Sequence, residues 1–255
     1  MPVSLPVPDD YIGATDDDKI LAALNDATEP LVYFQRMYFK TGAIPFPLVS
    51  GKKLIGPGMW GGCGITTPVA GDLFASSGGI TGFQIEGLQL VGDVAGAALR
   101  TTPAAGLAMR HIVVEDCYVQ GWHYGAWYAS GTVMYSKAID NKISGNAAAS
   151  PGAAALYIDR GTTSFEARGN ALAGYKTLVR TCCDGMVLRD GTLEACGGDA
   201  IYLESGALTV DGPWFDQSTI AGFSINRFSG SGKAEGCRGL TAAKINGSVQ
   251  FTPMP

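Results

Sequence analysis

The clearest pattern of hydrophobic and polar positions is an alternation between Ile80 and Leu90. Apolar and polar side chains alternate there in short runs, Phe83-Gln84-Ile85-Glu86 and Leu88-Gln89-Leu90, as in strands with one buried face. Similar short alternations return at intervals along the rest of the chain, separated by glycine-rich turns. We therefore predict an all-β protein from residue 59 onward, in which the Gly- and Thr-rich segment 59–79 leads into the first regular strands.

Strand–turn–strand blocks recur along the chain, and each contains one strongly hydrophobic anchor position. The anchors are spaced 24, 29, 21, 22 and 25 residues apart and are Val119, Ile143, Leu172, Leu193, Phe215 and Leu240. Repeats of roughly 20–45 residues are typical of solenoids, in which each turn buries its apolar face on the next. A leucine-rich repeat is the nearest alternative, but its L-x-x-L-x-L-x-x-N consensus is missing. Helical repeats are excluded because the blocks lack helical periodicity.

A second hydrophobic column follows the first with a similar period, at Ile158, Val179, Leu203 and Ile225. Two columns with one period define a coil, so we predict a parallel β-helix. The 36 glycines suit its tight corners, where the backbone angle φ is positive. They lack the three-residue period of collagen.

The segment before the coil predicts a short helix. Thr15 and the three aspartates after it supply an N-cap and favourable charge for a helix start. Ile20, Leu21 and Leu24 then form an apolar stripe. Because an open coil exposes strand edges and an apolar interior, we predict that this helix covers the first turn. The Pro-rich residues 1–10 show no pattern and are predicted to be an arm.

The same segment resembles a known module. The matching features are Gly13, Thr15-Asp16-Asp17, Ala22-Ala23, Val32-Tyr33-Phe34, Tyr38, Ser50-Gly51 and Leu54-Ile55-Gly56-Pro57-Gly58. Their order is similar to the start of right-handed parallel β-helix proteins of the pectate-lyase-like superfamily, especially bacteriophage tailspikes. One departure is Gln35-Arg36, where the family usually has Pro-Ala-Gly. The resemblance implies an arm at 1–10, a helix-and-strand cap at 11–58 and a right-handed parallel β-helix at 59–255.

Composition narrows the classes of function. Only 16% of residues are charged, against roughly 25% in soluble domains, and the mean hydropathy is +0.14. Flat repeat faces of low charge favour association, so we expect subunits to cover one another. A net charge of −5 with scattered basic residues disfavours nucleic-acid binding. No segment approaches the ~18 apolar residues of a membrane span, and the first eight residues lack the pattern of a signal peptide.

Cysteines and histidines offer little material for metal or thiol chemistry. The six cysteines show no C-x-x-C spacing, and Cys182 and Cys183 are adjacent, which suits neither a zinc site nor a disulfide framework. We expect them to be reduced and mostly buried. With only His111 and His123, a histidine-based triad is disfavoured. We therefore predict no metal and no cofactor, and we assign any catalysis to carboxylates.

Candidate catalytic residues follow from the columns, since equivalent residues of stacked turns lie about 4.8 Å apart. Beside the first anchors the outward series is Gln120, Ser144, Ala173, Glu194, Asp216 and Thr241. Glu194 and Asp216 would be neighbours roughly 5 Å apart, which suits the acid and nucleophile of a retaining glycosidase. The alternative is a pair of solvated carboxylates.

A second outward series accompanies the other column: Asp159, Arg180, Glu204 and Asn226. Its alternating charge predicts a ladder that supports the sheet face, and the alternative is substrate binding by Arg180. Asp159 and Glu204 would lie roughly 9–10 Å apart, two strand spacings. That separation suits an inverting hydrolase and makes them the second catalytic candidates.

An aromatic run after the anchor Val119 is the candidate substrate platform. Its members are Trp122, His123, Tyr124, Trp127 and Tyr128. Flat side chains with a polar edge suit the apolar face of a sugar ring. Because alternate residues of a strand point inward, core packing is the alternative for about half of them.

For function, the resemblance implies a phage tailspike-like protein of the virion tail. Such a protein would bind bacterial surface polysaccharide and cleave it by carboxylate-based hydrolysis, as a homotrimer. Alternatives are a non-catalytic glycan-binding or structural module that contacts other tail proteins, and a polysaccharide lyase. The lyase would need a calcium-binding aspartate cluster, which the sequence does not show. Because one fold hosts many activities, the sequence leaves the glycan open.

Overall fold

The computed structural model describes residues 5–92, 95–147, 153–227 and 229–252. The chain winds into a β-solenoid of about nine turns, and the described strand pairs are all parallel. Each full turn contributes one strand to each of three long sheets, which we call A, B and C. The predicted fold class, a right-handed parallel β-helix with a short N-terminal helix, is confirmed.

The strands follow one another in the order A, B, C along the chain. Sheet A contains Leu31–Tyr33, Lys53–Ile55, Gln84–Glu86, Val113–Glu115, Lys137–Ile139, Glu166–Arg168, Asp184–Arg189, Ala207–Asp211, Ser231–Glu235 and Val249–Thr252. Sheet B contains Met37–Phe39, Gly64–Thr67, Gln89–Gly92, Tyr118–Gln120, Lys142–Ala147, Ala171–Tyr175, Thr192–Glu194 and Trp214–Phe215. Sheet C contains Phe46–Pro47, Phe74–Ser76, Leu99–Thr101, Trp127–Ala129, Ala154–Ile158, Thr177–Thr181, Ile201–Leu203, Ile225–Arg227 and Ile245–Asn246. A small sheet D, formed by Ile80–Thr81, Met109–Arg110 and Val133–Met134, precedes sheet A in three turns.

The first predicted column is an interior column of sheet B. Val119, Ile143, Leu172, Leu193 and Phe215 pair in direct register and are buried. Leu240 does not belong to it, because Arg238 pairs with Trp214 and places Leu240 one residue beyond the column.

The second predicted column is wrong, because it combines residues of two interior columns that lie two positions apart along each strand. In sheet C, Val179 pairs with Leu156 and Ile201, whereas Ile158 and Leu203 pair with Thr181. Both sets point inward, so alternation along a strand does not distinguish one set from the other.

The corner between sheets A and B adopts the same left-handed conformation in successive turns. Residues with φ between 50° and 80° there are Gly87, Asp116, Asp140, Gly169, Asp190, Gly212 and Gly236. Aspartate is one of the few residues besides glycine that enters this region readily. The residue after the corner is buried in six of these seven turns, and the exception is Gly191, which follows Asp190.

Two of these interior side chains form an asparagine ladder. Nδ2 of Asn141 donates to Oδ1 of Asn170 at 2.9 Å and to the carbonyl of Val114 at 2.9 Å. Nδ2 of Asn170 donates to the carbonyl of Ala138 at 2.8 Å. Both residues are buried, so these bonds satisfy amides that have no access to water.

The N-terminal helix, Asp16–Asn25, covers the first turn as predicted. Thr15 and Asp18 form a capping box at its start. Ile20, Ala23 and Leu24 are buried, but Leu21 is 41% exposed, so its predicted place in the stripe is wrong. The residue after Ile20 is rotated about 100° around the helix axis, away from the coil.

Two charged groups fasten this helix to the coil. Lys52, only 3% exposed, donates to the carbonyls of Ala23 at 3.1 Å and Asp26 at 2.7 Å, at the helix C-terminus. Arg36 donates to Asp9 at 2.9 Å and to Asp16 at 2.7 Å.

The predicted arm is not featureless. Pro8–Asp10 forms a 3₁₀ turn against the cap, and Asp9 also accepts from Lys19 and Tyr38, each at 3.0 Å. Its hydrogen bond with Arg36 outweighs burial and holds the pKa of Asp9 well below its usual range. A second 3₁₀ turn, Ala242–Lys244, lies near the other end.

All six cysteines are buried and free of disulfides, as predicted. In the described part of the chain, no helix is both long and apolar enough to cross a membrane.

Candidate functional site

The outer face of sheet C carries a continuous column of aromatic and basic side chains. Arg100 pairs in register with Tyr128, Tyr128 with Tyr157, Tyr157 with Arg180, and Arg180 with Tyr202. We call these five residues the Tyr–Arg ladder. Their neighbours on each strand are buried, because alternation turns one side chain into the core and the next to the surface.

Neighbouring ladder side chains are in contact. The rings of Tyr128 and Tyr157 are 4.9 Å apart, centroid to centroid. Cζ of Arg100 lies 4.2 Å from the Tyr128 ring centroid, and Cζ of Arg180 lies 5.0 Å from that of Tyr157 and 5.9 Å from that of Tyr202. Each cation over a ring contributes roughly 0.5–1 kcal/mol at a partly exposed site. The ladder is therefore a preformed, half-exposed platform.

Tyr124 widens the platform. Its ring lies 5.1 Å from that of Tyr128 and is stacked on Tyr157 at 5.8 Å. His123 meets Tyr124 edge-on at 4.6 Å, and burial lowers the pKa of its imidazole. Three predicted platform residues, His123, Tyr124 and Tyr128, are thus brought together, and Arg100 lies over the rings of Tyr124 and Tyr128.

The two predicted platform tryptophans lie in the core, so that part of the prediction is wrong. Trp127 is the inward residue of its strand, and its Nε1 donates to Oγ1 of Thr101 at 2.9 Å. Trp122 packs under the turn against Gly92, where an added Cβ would come within 2.6 Å of the indole. Neither indole is accessible to a ligand.

Two carboxylates border the ladder where the strands of sheet C end. Asp159, Cys182 and Glu204 occupy the same position in three consecutive turns, since their N–H groups bond to successive neighbouring strands. Asp159 and Glu204 are therefore two strand spacings apart, roughly 9–10 Å along the column. The sequence prediction put Arg180 between Asp159 and Glu204, but the strand pairing puts Cys182 there, two residues further along the chain.

Glu204 is held on two sides. Nε of Arg180 donates to its Oε1 at 2.8 Å, and Sγ of Cys182 donates to its Oε2 at 3.0 Å. Asp159 is held more loosely, by the Ser130 hydroxyl at 3.4 Å and the Arg160 N–H at 2.7 Å. One carboxylate is thus fixed by a cation and a thiol, and the other by neutral donors.

The pKa shifts follow from these contacts. Burial raises the pKa of Glu204, but the hydrogen bonds from Cys182 and Arg180 outweigh it, and the net shift is downward. Burial, with the nearby Asp159, raises the pKa of Tyr157 to about 12. Burial and Glu204 raise the pKa of Cys182 to about 11. At neutral pH Glu204 is a carboxylate, while the phenol and the thiol keep their protons.

The other predicted pair lies on sheet B. Glu194 and Asp216 are one turn apart in the expected outward column, since the Asp216 N–H bonds to the carbonyl of Leu193. The carboxylate of Asp216 accepts from the hydroxyl of Ser218 at 2.6 Å and from its N–H at 3.1 Å, and these bonds lower its pKa. The Asp216 carboxylate therefore stabilises the turn that it forms with Ser218. Trp214, 45% exposed, lies in the same outward column of sheet B as Tyr118.

No group of three or more His, Cys, Asp or Glu residues that could hold a metal ion occurs in the described ranges.

Solved structures contain similar coils. The protein ORF18 of Geobacillus virus E2 has a TM-score of 0.55 and 13% identity, with 96% of this chain and 58% of that chain covered. The enzymatically active domain of tailspike protein 2 of bacteriophage CBA120 has a TM-score of 0.56 and 11% identity, with 99% and 46% covered. This chain has the fold of a phage tailspike protein. It spans about half the length of these two solved chains. No family model matches the sequence, and no curated protein matches it significantly.

Sequence reasoning missed three ladder residues on this tailspike-like coil: Arg100, Tyr157 and Tyr202. A signal was present, because successive ladder residues are 28, 29, 23 and 22 positions apart, close to the length of one turn. Following tyrosines and arginines at the repeat spacing, instead of one contiguous aromatic run, would have found them.

Proposed function

We propose that the chain binds a bacterial surface polysaccharide along the Tyr–Arg ladder. The observation that carries the proposal is the unbroken outward column from Arg100 to Tyr202, which presents aromatic rings and phenol groups over several turns. Sugar rings stack on aromatic faces, and their hydroxyls exchange hydrogen bonds with phenols. A polymer fits such a column better than a compact ligand, because the surface is elongated and repeats at one strand spacing.

The carboxylates beside the ladder support hydrolysis with inversion. Glu204, ionised and aimed by Arg180, takes a proton from a water molecule that attacks the anomeric carbon. Asp159 gives a proton to the departing glycosidic oxygen. A separation of roughly 9–10 Å lies at the upper end of the range that leaves room for this water. The short side chain of Cys182 lies between the two carboxylates and preserves that space.

Glu194 and Asp216 remain the second catalytic candidates. Their spacing of one turn, roughly 5 Å, would give retention of configuration. The Asp216 carboxylate is already hydrogen-bonded to the hydroxyl of Ser218, so it is less free to attack a sugar. We therefore favour the sheet C pair, Asp159 and Glu204.

Hydrolysis of purified capsules and lipopolysaccharides from a strain panel tests the assignment. Glu204→Gln and Asp159→Asn are each expected to slow release of reducing ends by about 100- to 10,000-fold, with binding retained. Glu194→Gln and Asp216→Asn are the matched controls and should keep wild-type rates. Loss of hydrolysis in Glu194→Gln and Asp216→Asn but not in the sheet C variants, with retention of configuration in the product, would assign catalysis to the sheet B pair.

The same panel separates the other functions. Binding without product from any strain would identify a non-catalytic glycan-binding module, and products with the absorbance of an unsaturated sugar would identify a lyase. Tyr157→Ala should weaken binding about tenfold, which corresponds to about 1.4 kcal/mol. Tyr157→Phe, which keeps the ring, should lose less. Equal binding by all three proteins would contradict the ladder as the binding surface.

We further propose that the chain acts in a virion tail as a parallel homotrimer, which would cover its weakly charged sheet faces. Light scattering at micromolar concentration should give three times the chain mass. A stable monomer would contradict this.

A further inference from the structure

Both guanidinium groups of the Tyr–Arg ladder are already paired with carboxylates of the protein. Nε of Arg100 donates to Oδ2 of Asp72 at 2.6 Å, while Oδ1 of Asp72 accepts from the Ala97 N–H at 2.8 Å, which locks the carboxylate in place. Arg180 is paired with Glu204 through Nε and Nη2. These pairs are partly buried, so competition from water is reduced.

The ladder itself carries no surplus of positive charge. Asp72 and Glu204 pair with its two arginines, Arg100 and Arg180, one carboxylate to each guanidinium. The chain as a whole carries a formal charge of −5. An acidic polymer would therefore meet a ladder without net positive charge, and neither ladder guanidinium is free to bind a carboxylate or phosphate in bidentate fashion.

We infer that the ladder binds uncharged sugar residues, such as neutral hexoses or N-acetylhexosamines, and not uronate, sialate or phosphate groups. The inference rests on the proposed glycan-binding function and specifies its substrate class. The groups left free to recognise sugar hydroxyls are the phenols of Tyr124, Tyr128, Tyr157 and Tyr202, since a phenol both donates and accepts hydrogen bonds. The arginines lie over the tyrosine rings, Arg100 over Tyr128 and Arg180 over Tyr157, and are held there by Asp72 and Glu204.

An array of bacterial surface polysaccharides with neutral and acidic repeating units tests this. The bound members should be neutral, and their affinity should change less than about twofold between 50 and 500 mM NaCl, because no charge pair forms on binding. Bound members that carry a carboxylate or phosphate, with affinity falling more than tenfold over that range, would overturn the substrate class and leave glycan binding intact. Binding to no member of the array would overturn the proposed function and the inference together.

Asp72→Asn provides a gain-of-function test. Asparagine keeps the size of the side chain and the acceptor for the Ala97 N–H, but it frees Arg100. At 50 mM NaCl the variant should bind the acidic polysaccharides of the array at least threefold more tightly than wild type. Asp211→Asn is the matched control, since it removes the same charge and frees Arg189 on sheet A, where the two groups are 3.5 Å apart. Equal gains in both variants, or none in Asp72→Asn, would overturn the role given to the ion pairs.

Discussion

Replacing Asn170 by alanine should destabilise the coil through its interior. Oδ1 of Asn170 is the acceptor for two donors of Asn141: the backbone N–H at 3.1 Å and Nδ2 at 2.9 Å. Both residues are buried, so water cannot replace this acceptor in the native structure. A buried donor left without a partner costs roughly 1–3 kcal/mol, and two of them give a loss of about 4 kcal/mol.

Differential scanning calorimetry provides the measurement. For a chain of this size each kcal/mol lowers Tm by roughly 2–4 °C, so Asn170→Ala should melt about 8–16 °C below wild type. Asn246→Ala is the control, because Asn246 is exposed and its bond to Asn226 is replaced by water; its Tm should shift by less than about 2 °C. A fall of less than 3 °C for Asn170→Ala would refute the view that these amides depend on one another.

Three further predictions concern the cap. Lys52→Met should lower the free energy of unfolding by about 2–4 kcal/mol in a urea titration, because the helix carbonyls lose a charged donor; an unchanged midpoint would contradict its capping role. The pKa values of Asp9 and Asp16 are lowered by Arg36, so their stabilisation is complete above pH about 4 and is lost as the pH falls further, and Arg36→Met should flatten the acid limb of a plot of Tm against pH. Deleting residues 1–29 should uncover the first turn and reduce solubility and Tm, whereas an identical melting curve would rule out the protective role of the helix.

The sequence alone determined the features that depend on local periodicity. Alternation and turn-length spacing identified the parallel coil and the interior column from Val119 to Phe215, because each strand must bury every second side chain. The start of the N-terminal helix was also predictable from the sequence, because its capping box is formed by Thr15 and Asp18, which are only three residues apart.

On sheet C, only the tertiary structure decided which outward side chains become neighbours. Moving a strand by two residues keeps the same face buried, so the alternation could not separate the column of Arg180 from that of Cys182. The pairing of whole strands made that choice, and it placed Tyr157 beside Arg180 and Glu204 beside Cys182. The ladder itself joins residues 22–29 positions apart in the sequence, which become neighbours only when the turns stack at the strand spacing of about 4.8 Å.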